Sequence, residues 1–113
     1  MQLIGSADEV TRALTPFVGG TVYLHLETTV GAYTENGFGV FIRNAKVQID
    51  SAALKGDGPL YRAGLHTSDG WVYAEGLTHW EVDSKGRLLL EGHDAEGRMT
   101  VACLVGREPW PVY

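Results

Sequence analysis

The chain repeats one glycine-closed turn four times, and this repeat strongly limits the folds open to it. Each copy begins with Thr or Asp, continues with two polar or small residues, and closes with Gly before a strand-forming residue. The copies occupy residues 34–38, 67–71, 83–87 and 94–98. This pattern is typical of a three-residue hairpin loop in which Gly takes the left-handed conformation. The turns therefore predict a mainly β fold.

The loops also predict which residues face each other. The third turn places Trp80 opposite Leu90, and the fourth places Leu90 opposite Ala102. The second turn, counted in the same way, places Leu65 opposite Tyr73. We therefore expect an antiparallel meander of four strands over residues 60–105.

Two features qualify this strand pattern. Gly76 lies in the middle of a long strand-like run, where it predicts a kink. In the strand after the first turn, the apolar positions change from even to odd numbers. This change predicts a β-bulge near Arg43 and Asn44, which would align Leu24 with Ile49.

A short N-terminal helix precedes the first strand. Ser6 and Glu9 have the spacing of a capping box. Val10, Leu14 and Phe17 follow at the spacing of a single apolar helix stripe.

The predicted meander is apolar on both faces. Its odd-numbered face carries Trp71, Tyr73, Leu77, Leu89, Met99, Val101 and Cys103. The helix and the first hairpin can cover one face, and the other needs barrel curvature or a second subunit. We expect one α+β domain over residues 1–113, built as a curved sheet or partly open barrel or sandwich. A homodimer is the expected assembly.

The charge pattern excludes several partner classes. The net charge is -5 and the nine Lys and Arg are scattered, which argues against nucleic acid and anionic membranes. No apolar run approaches the roughly 18 residues of a membrane span, and the N-terminus does not have the pattern of a signal peptide. The single cysteine, Cys103, is expected to be a buried and inert thiol. These features predict a cytoplasmic protein.

Three residues form the first candidate site. The predicted register places His79 opposite Glu91, with His93 two residues along. Imidazole and carboxylate groups suit a divalent metal or an acid–base pair. The alternative is a cross-strand His–Glu pair that satisfies itself. We expect no cofactor, with a divalent metal at these residues as the alternative.

A second candidate site, for a small ligand, follows the first strand. It comprises His25, Glu27, Thr28, Thr29 and Tyr33. Hydroxyls and backbone N–H groups could cup a ligand there, although a solvated strand end explains the pattern equally well.

Arg43 and Asn44, with Arg62 nearby, form a third candidate that could bind a carboxylate or phosphate. A surface ion pair is the simpler alternative.

The C-terminal residues 107–113 are expected to run extended over the domain with Trp110 docked. No Ser-His-Asp order, P-loop, dinucleotide-binding glycine pattern or cysteine pair is present.

Four stretches together resemble the YojF-like family of small uncharacterised bacterial proteins. They are residues 25–33, 43–46, 70–79 and 88–98. The resemblance implies a β-rich, dimeric domain and a gene setting beside a bacillithiol-pathway sugar deacetylase. It supplies no catalytic residue.

Two functions are compatible with these patterns. The first is a non-catalytic accessory or interaction domain that self-associates and supports a metabolic enzyme of thiol or amino-sugar chemistry. The second is a small-molecule binder or metal-dependent enzyme with a pocket at a barrel mouth. It would use His25, Glu27, His79, Glu91 and His93, and it requires those side chains to share one cavity.

Overall fold

Eight strands form one antiparallel sheet in the computed structural model, which describes residues 1–28 and 39–111. The elements are β1 (Gln2–Leu3), α1 (Ala7–Leu14), β2 (Thr21–Thr28), β3 (Phe41–Lys55), β4 (Tyr61–Thr67), β5 (Trp71–Leu77), β6 (His79–Val82), β7 (Leu88–His93) and β8 (Met99–Gly106). The strand order is β1-β6-β7-β8-β2-β3-β4-β5. Within the described residues β1 and β5 do not pair, so the sheet is curved but not closed. The mainly β fold with one short helix is confirmed.

The helix begins and packs as the sequence predicts. The Ser6 side chain accepts a hydrogen bond from the Glu9 backbone N–H, and the Glu9 carboxylate accepts one from Gly5 at 2.7 Å. A 3-10 turn, Thr15–Phe17, continues the helix. The predicted stripe is buried against the sheet and consists of Val10, Leu14 and Phe17.

The third and fourth turns have the predicted geometry. In the third, the Asp83 N–H donates to the Arg87 carbonyl, and Gly86 has φ +74°. In the fourth, Asp94 and Arg98 repeat this bond and Gly97 has φ +80°. A residue with a Cβ is strained at such angles, which is why Gly closes both loops.

The second turn is one residue shorter than predicted. Thr67 and Gly70 bond to each other through their backbones, and the Thr67 hydroxyl accepts the Gly70 N–H at 3.1 Å. Leu65 therefore faces Val72, and its predicted pairing with Tyr73 is wrong. The first predicted turn falls within residues 29–38, outside the described part of the chain.

A bulge in β8 changes the predicted register there. Trp80 faces Leu90 as expected, but Leu90 faces Cys103, and the expected pairing with Ala102 is wrong. The register shifts next to Thr100, whose hydroxyl donates to the Gly92 carbonyl at 3.2 Å. Cys103 consequently points into the core rather than to the opposite face.

Each strand pairing predicted within the meander of residues 60–105 forms, but the long run 71–83 is divided into β5 and β6, which lie in different parts of the sheet. Gly76, where the sequence predicts a kink, has φ +76° and lies one residue before the end of β5. The curved sheet brings β5 close to β7. A Cβ on Gly92 would overlap the Gly76 carbonyl oxygen.

The bulge predicted in β3 is confirmed at Asn44. This residue has φ +61°, and the β2–β3 register shifts between Leu24 and His25. Leu24 pairs with Ala45, however, and its predicted alignment with Ile49 is wrong.

Curvature covers only part of the odd-numbered face. Leu77 and Cys103 are buried in the hydrophobic core between α1 and the sheet. Trp71 and Tyr73 instead remain exposed, with 55% and 48% of their surfaces accessible.

Candidate functional site

His25 in β2 is buried, with only 3% of its surface exposed. Its Nε2 lies 3.2 Å from Glu27 Oε2, and Phe41 packs edge-on against the imidazole with ring centroids 4.9 Å apart. The buried Nδ1 has no hydrogen-bond partner within the described residues. His25 is therefore not part of a solvated strand end, the alternative that the sequence pattern left open. The bulge pairs Phe41 with Glu27, and this places an apolar ring beside the histidine.

The other residues predicted around this site have different surroundings. The Thr28 hydroxyl accepts a hydrogen bond from the Val40 N–H at 2.8 Å, which closes the end of the β2–β3 ladder. Thr29 and Tyr33 lie outside the described residues.

Arg43 and Asn44 hold the C-terminal segment 107–111, called here the strap. Asn44 donates from Nδ2 to the Trp110 carbonyl at 2.8 Å and accepts the Trp110 N–H at 2.7 Å. Arg43 donates to the Pro111 carbonyl at 2.9 Å. Trp110 is docked, as predicted, with 9% of its surface exposed.

His79, Glu91 and His93 are brought together as the register predicts. His79 faces Glu91 across β6 and β7, and His93 Nε2 lies 2.8 Å from Glu91 Oε1. The two imidazole rings stack, with centroids 4.1 Å apart and 24° between their planes. His79 Nδ1 lies 2.7 Å from the Thr78 hydroxyl. These contacts occupy His79 Nδ1, His93 Nε2 and Glu91 Oε1, three of the atoms that could ligate a metal.

Burial lowers the pKa of His79 below its ordinary value of 6.5. The neighbouring His93 lowers this pKa further, the Glu91 carboxylate acts in the opposite direction, and the N-terminal amino group adds a smaller lowering. His79 is therefore poised to stay neutral near pH 7. Across residues 1–28 and 39–111, no group of three or more His, Cys, Asp or Glu side chains is arranged to hold a metal ion.

A cleft of about 450 Å³ lies where β5 approaches β2 and β8. Glu27 and Glu75 are the carboxylates in its lining, beside apolar residues such as Leu26 and Ile42. The lining does not include His25 or the His79–Glu91–His93 group. Of the five residues that the barrel-mouth hypothesis requires in one cavity, this cleft holds only Glu27.

The edge strand β5 presents an exposed aromatic pair beside a shallow concavity that Trp71, Tyr73 and Gly64 line. The rings of Trp71 and Tyr73 stack with centroids 5.4 Å apart and 6° between their planes. The Tyr73 ring packs over Gly64 on β4. A Cβ at Gly64 would stand 3.3 Å from this ring. The Arg62 guanidinium lies 4.0 Å from the centre of the Tyr73 ring and 3.5 Å from the Glu75 carboxylate.

A family model described as a protein of unknown function, DUF1806, matches residues 5–110. The chain belongs to the DUF1806 family. An uncharacterized protein of Bacillus subtilis, YojF, is 42% identical over 111 residues, which cover 93% of this chain and 95% of the relative. The crystal structure of B. subtilis YojF matches with a TM-score of 0.83 at 40% identity, covering 98% of this chain and 97% of the other. The resemblance drawn from the sequence is confirmed.

Membership of DUF1806 carries no activity over to this chain, because the family is one of unknown function. No helix in the described part of this DUF1806 chain has the length and apolar character needed to cross a bilayer.

Sequence reasoning missed the contribution of β5 to the cleft in this DUF1806 protein. Tyr73 and Glu75 reach the cleft because β5 leaves the meander at Gly76 and lies against β8. The two glycines that permit this approach, Gly76 and Gly92, are the signal in the sequence that could have indicated it.

Proposed function

We propose that the chain is a cytoplasmic, non-catalytic interaction domain that pairs with a second copy of itself through β5. As the resemblance implies, it would support a metabolic enzyme of thiol or amino-sugar chemistry. The observation that carries the self-association is the exposure of Trp71 and Tyr73 on an edge strand. Large aromatic residues are enriched at the centres of protein interfaces, where they supply much of the binding free energy.

The two edge strands of the sheet, β1 and β5, differ in how readily they can pair with another chain. β1 has only two residues, and short edge strands resist pairing with another chain. β5 has seven residues, and it pairs with β4 alone among the described strands. Its other backbone edge forms no ladder with a described strand. The Gly76 end of that edge packs against β7, so we expect an incoming strand to pair with the earlier residues of β5.

A second copy suits this surface because an antiparallel β5–β5 contact is symmetric. Such a contact would place the same aromatic pair on both sides. Arg62 lies over the Tyr73 ring, and with its ion-pair partner Glu75 it supplies charges of both signs to each copy. Two identical surfaces of this kind complement each other without a net charge repulsion at their centre.

Light scattering after size exclusion tests the proposal. We expect a dimer at micromolar concentration, and we expect the double variant W71S/Y73S to be monomeric with an unchanged far-ultraviolet circular dichroism spectrum. The matched control is V82S, because Val82 is a comparably exposed residue on β6, with 52% of its surface accessible. The control should remain dimeric. A monomeric wild type, or a double variant that stays dimeric, would contradict the proposal.

A further inference from the structure

A second cleft, of about 440 Å³, lies between the third turn and the strap. Among the described residues its lining includes Lys85, Arg87, Arg107 and Glu108, with Pro109 and Pro111 as rigid walls. Three of the nine Lys and Arg of an acidic chain thus meet in one concavity. No contact of the proposed dimer surface involves these residues.

The Arg87 guanidinium group is held in place by contacts along one of its sides. Its Nε donates to Asp83 Oδ2 at 2.6 Å, and the guanidinium lies 5.4 Å from the centre of the Trp110 ring. The Arg87 side chain is 28% exposed. Within the described residues its two Nη groups make no hydrogen bond, so their donors are available to a ligand.

Arg107 is oriented in a similar way from the opposite wall. Its Nη2 donates to the Pro16 carbonyl at 2.7 Å, and its guanidinium lies 4.8 Å from the centre of the Phe17 ring. No carboxylate in the described part of the chain lies within ion-pair distance of Arg107 or Lys85. In the described part of the chain, Arg107 and Lys85 therefore have no ion-pair partner.

We infer that this cleft binds a small metabolite through a phosphate or carboxylate group. Guanidinium groups that are oriented before binding form charge-assisted hydrogen bonds to oxyanions at little cost in side-chain entropy. Lys85 supplies a further positive charge at the mouth. The Glu108 carboxylate can accept a hydrogen bond from a hydroxyl or amino group of the same ligand, which favours a substituted metabolite over a simple anion.

The β7–β8 hairpin brings the two arginines together, because Leu88 faces Val105 and Arg87 lies beside Gly106. The strap supplies the proline wall of the cleft, and its position depends on the docking of Trp110 against Asn44. That wall is a product of tertiary structure, and sequence patterns do not reveal it.

The experiment is a titration of isotope-labelled protein with inorganic phosphate, and separately with succinate, at ionic strength held constant with potassium chloride. We expect saturable amide shifts confined to residues 85–87 and 106–108. The variants K85Q and R107Q should each weaken binding about tenfold or more, because each removes a charged donor. The ion that binds more tightly identifies the group that the cleft recognises.

The matched control is R98Q. Arg98 occupies the corresponding place in the fourth turn, where its Nε donates to Asp94 Oδ2 at 3.0 Å, and it does not line the cleft. This variant should bind as the wild type does. The absence of saturable shifts with either ion would overturn the inference, as would equal weakening by R98Q. Lys85 lies on an exposed turn, so K85Q reports on binding even if R107Q disturbs the strap.

Discussion

The Asn44 side chain joins the first part of β3 to the strap by two hydrogen bonds to the backbone of Trp110. Its own backbone lies in the left-handed region, which Asn tolerates better than most residues because its short polar side chain can bond locally. One residue therefore forms the bulge and anchors the strap.

Substitutions at Asn44 can separate these two contributions. N44A removes both hydrogen bonds and strains the backbone, and we expect a loss of about 2–4 kcal/mol in the free energy of unfolding. N44G also removes the bonds but accepts the positive φ, so its loss should be smaller by about 1 kcal/mol. Urea denaturation measures both values. Equal losses in the two variants would show that the backbone conformation contributes nothing.

At the scale of secondary structure, the turns and bulges show where sequence patterns are sufficient and where they are not. The loops closed by Gly86 and Gly97 are local, because a positive φ and a short polar segment determine each one, and the sequence predicts both. The bulge at Asn44 is predictable because it leaves a switch in the apolar pattern.

The register of β8 could not be predicted because its bulge leaves no such switch. Residues 101–105 are apolar without alternation, so the sequence does not reveal the shift at Thr100. The candidate sites show the same limit. His79 and Glu91 face each other through one local turn and are predictable as a pair. The role of Asn44 instead depends on a segment 66 residues away, a separation over which sequence spacing carries no information.

The contact between β5 and β7 depends on the absence of a side chain at Gly92. We expect G92A to lower the free energy of unfolding by about 2–4 kcal/mol, since overpacking forces neighbouring backbone to move. Its Cβ would overlap the Gly76 carbonyl and stand 2.6 Å from Val101 Cγ1. Thermal and urea denaturation measure the change.

The matched control for this variant is G70A. A Cβ at Gly70 would meet no heavy atom within 4 Å, and this glycine has no positive φ. The stability of G70A should stay within about 0.5 kcal/mol of the wild type. If G92A were equally neutral, β5 and β7 would not be in contact in solution.

For the whole molecule, the lowered pKa of His79 gives the stability a defined pH dependence. In the unfolded chain His79 takes up a proton near its ordinary value of 6.5, whereas the folded protein resists protonation until lower pH. The unfolded state therefore binds more protons in this window, and stability falls as the pH drops from about 6.5 through the folded-state pKa.

Replacing His79 tests this linkage. H79Q should flatten the pH dependence of the free energy of unfolding between about pH 7.5 and 5, while H66Q on β4 should retain the His79 contribution to the slope. The pKa values of Asp83 and Asp94 are lowered by hydrogen bonds from their turns, against the opposing effect of burial, so these groups titrate below this window. A slope unchanged in H79Q would contradict the assignment.

The strap also bears on how the chain reaches its final state. Arg107 bonds to Pro16 across 91 residues, and Trp110 bonds to Asn44 across 66. Pro16 and Asn44 therefore lack these hydrogen-bond partners until residues 107–111 have left the ribosome. During synthesis β2 also waits for β8, with which it pairs, so the sheet and the strap are both completed by the last segments described.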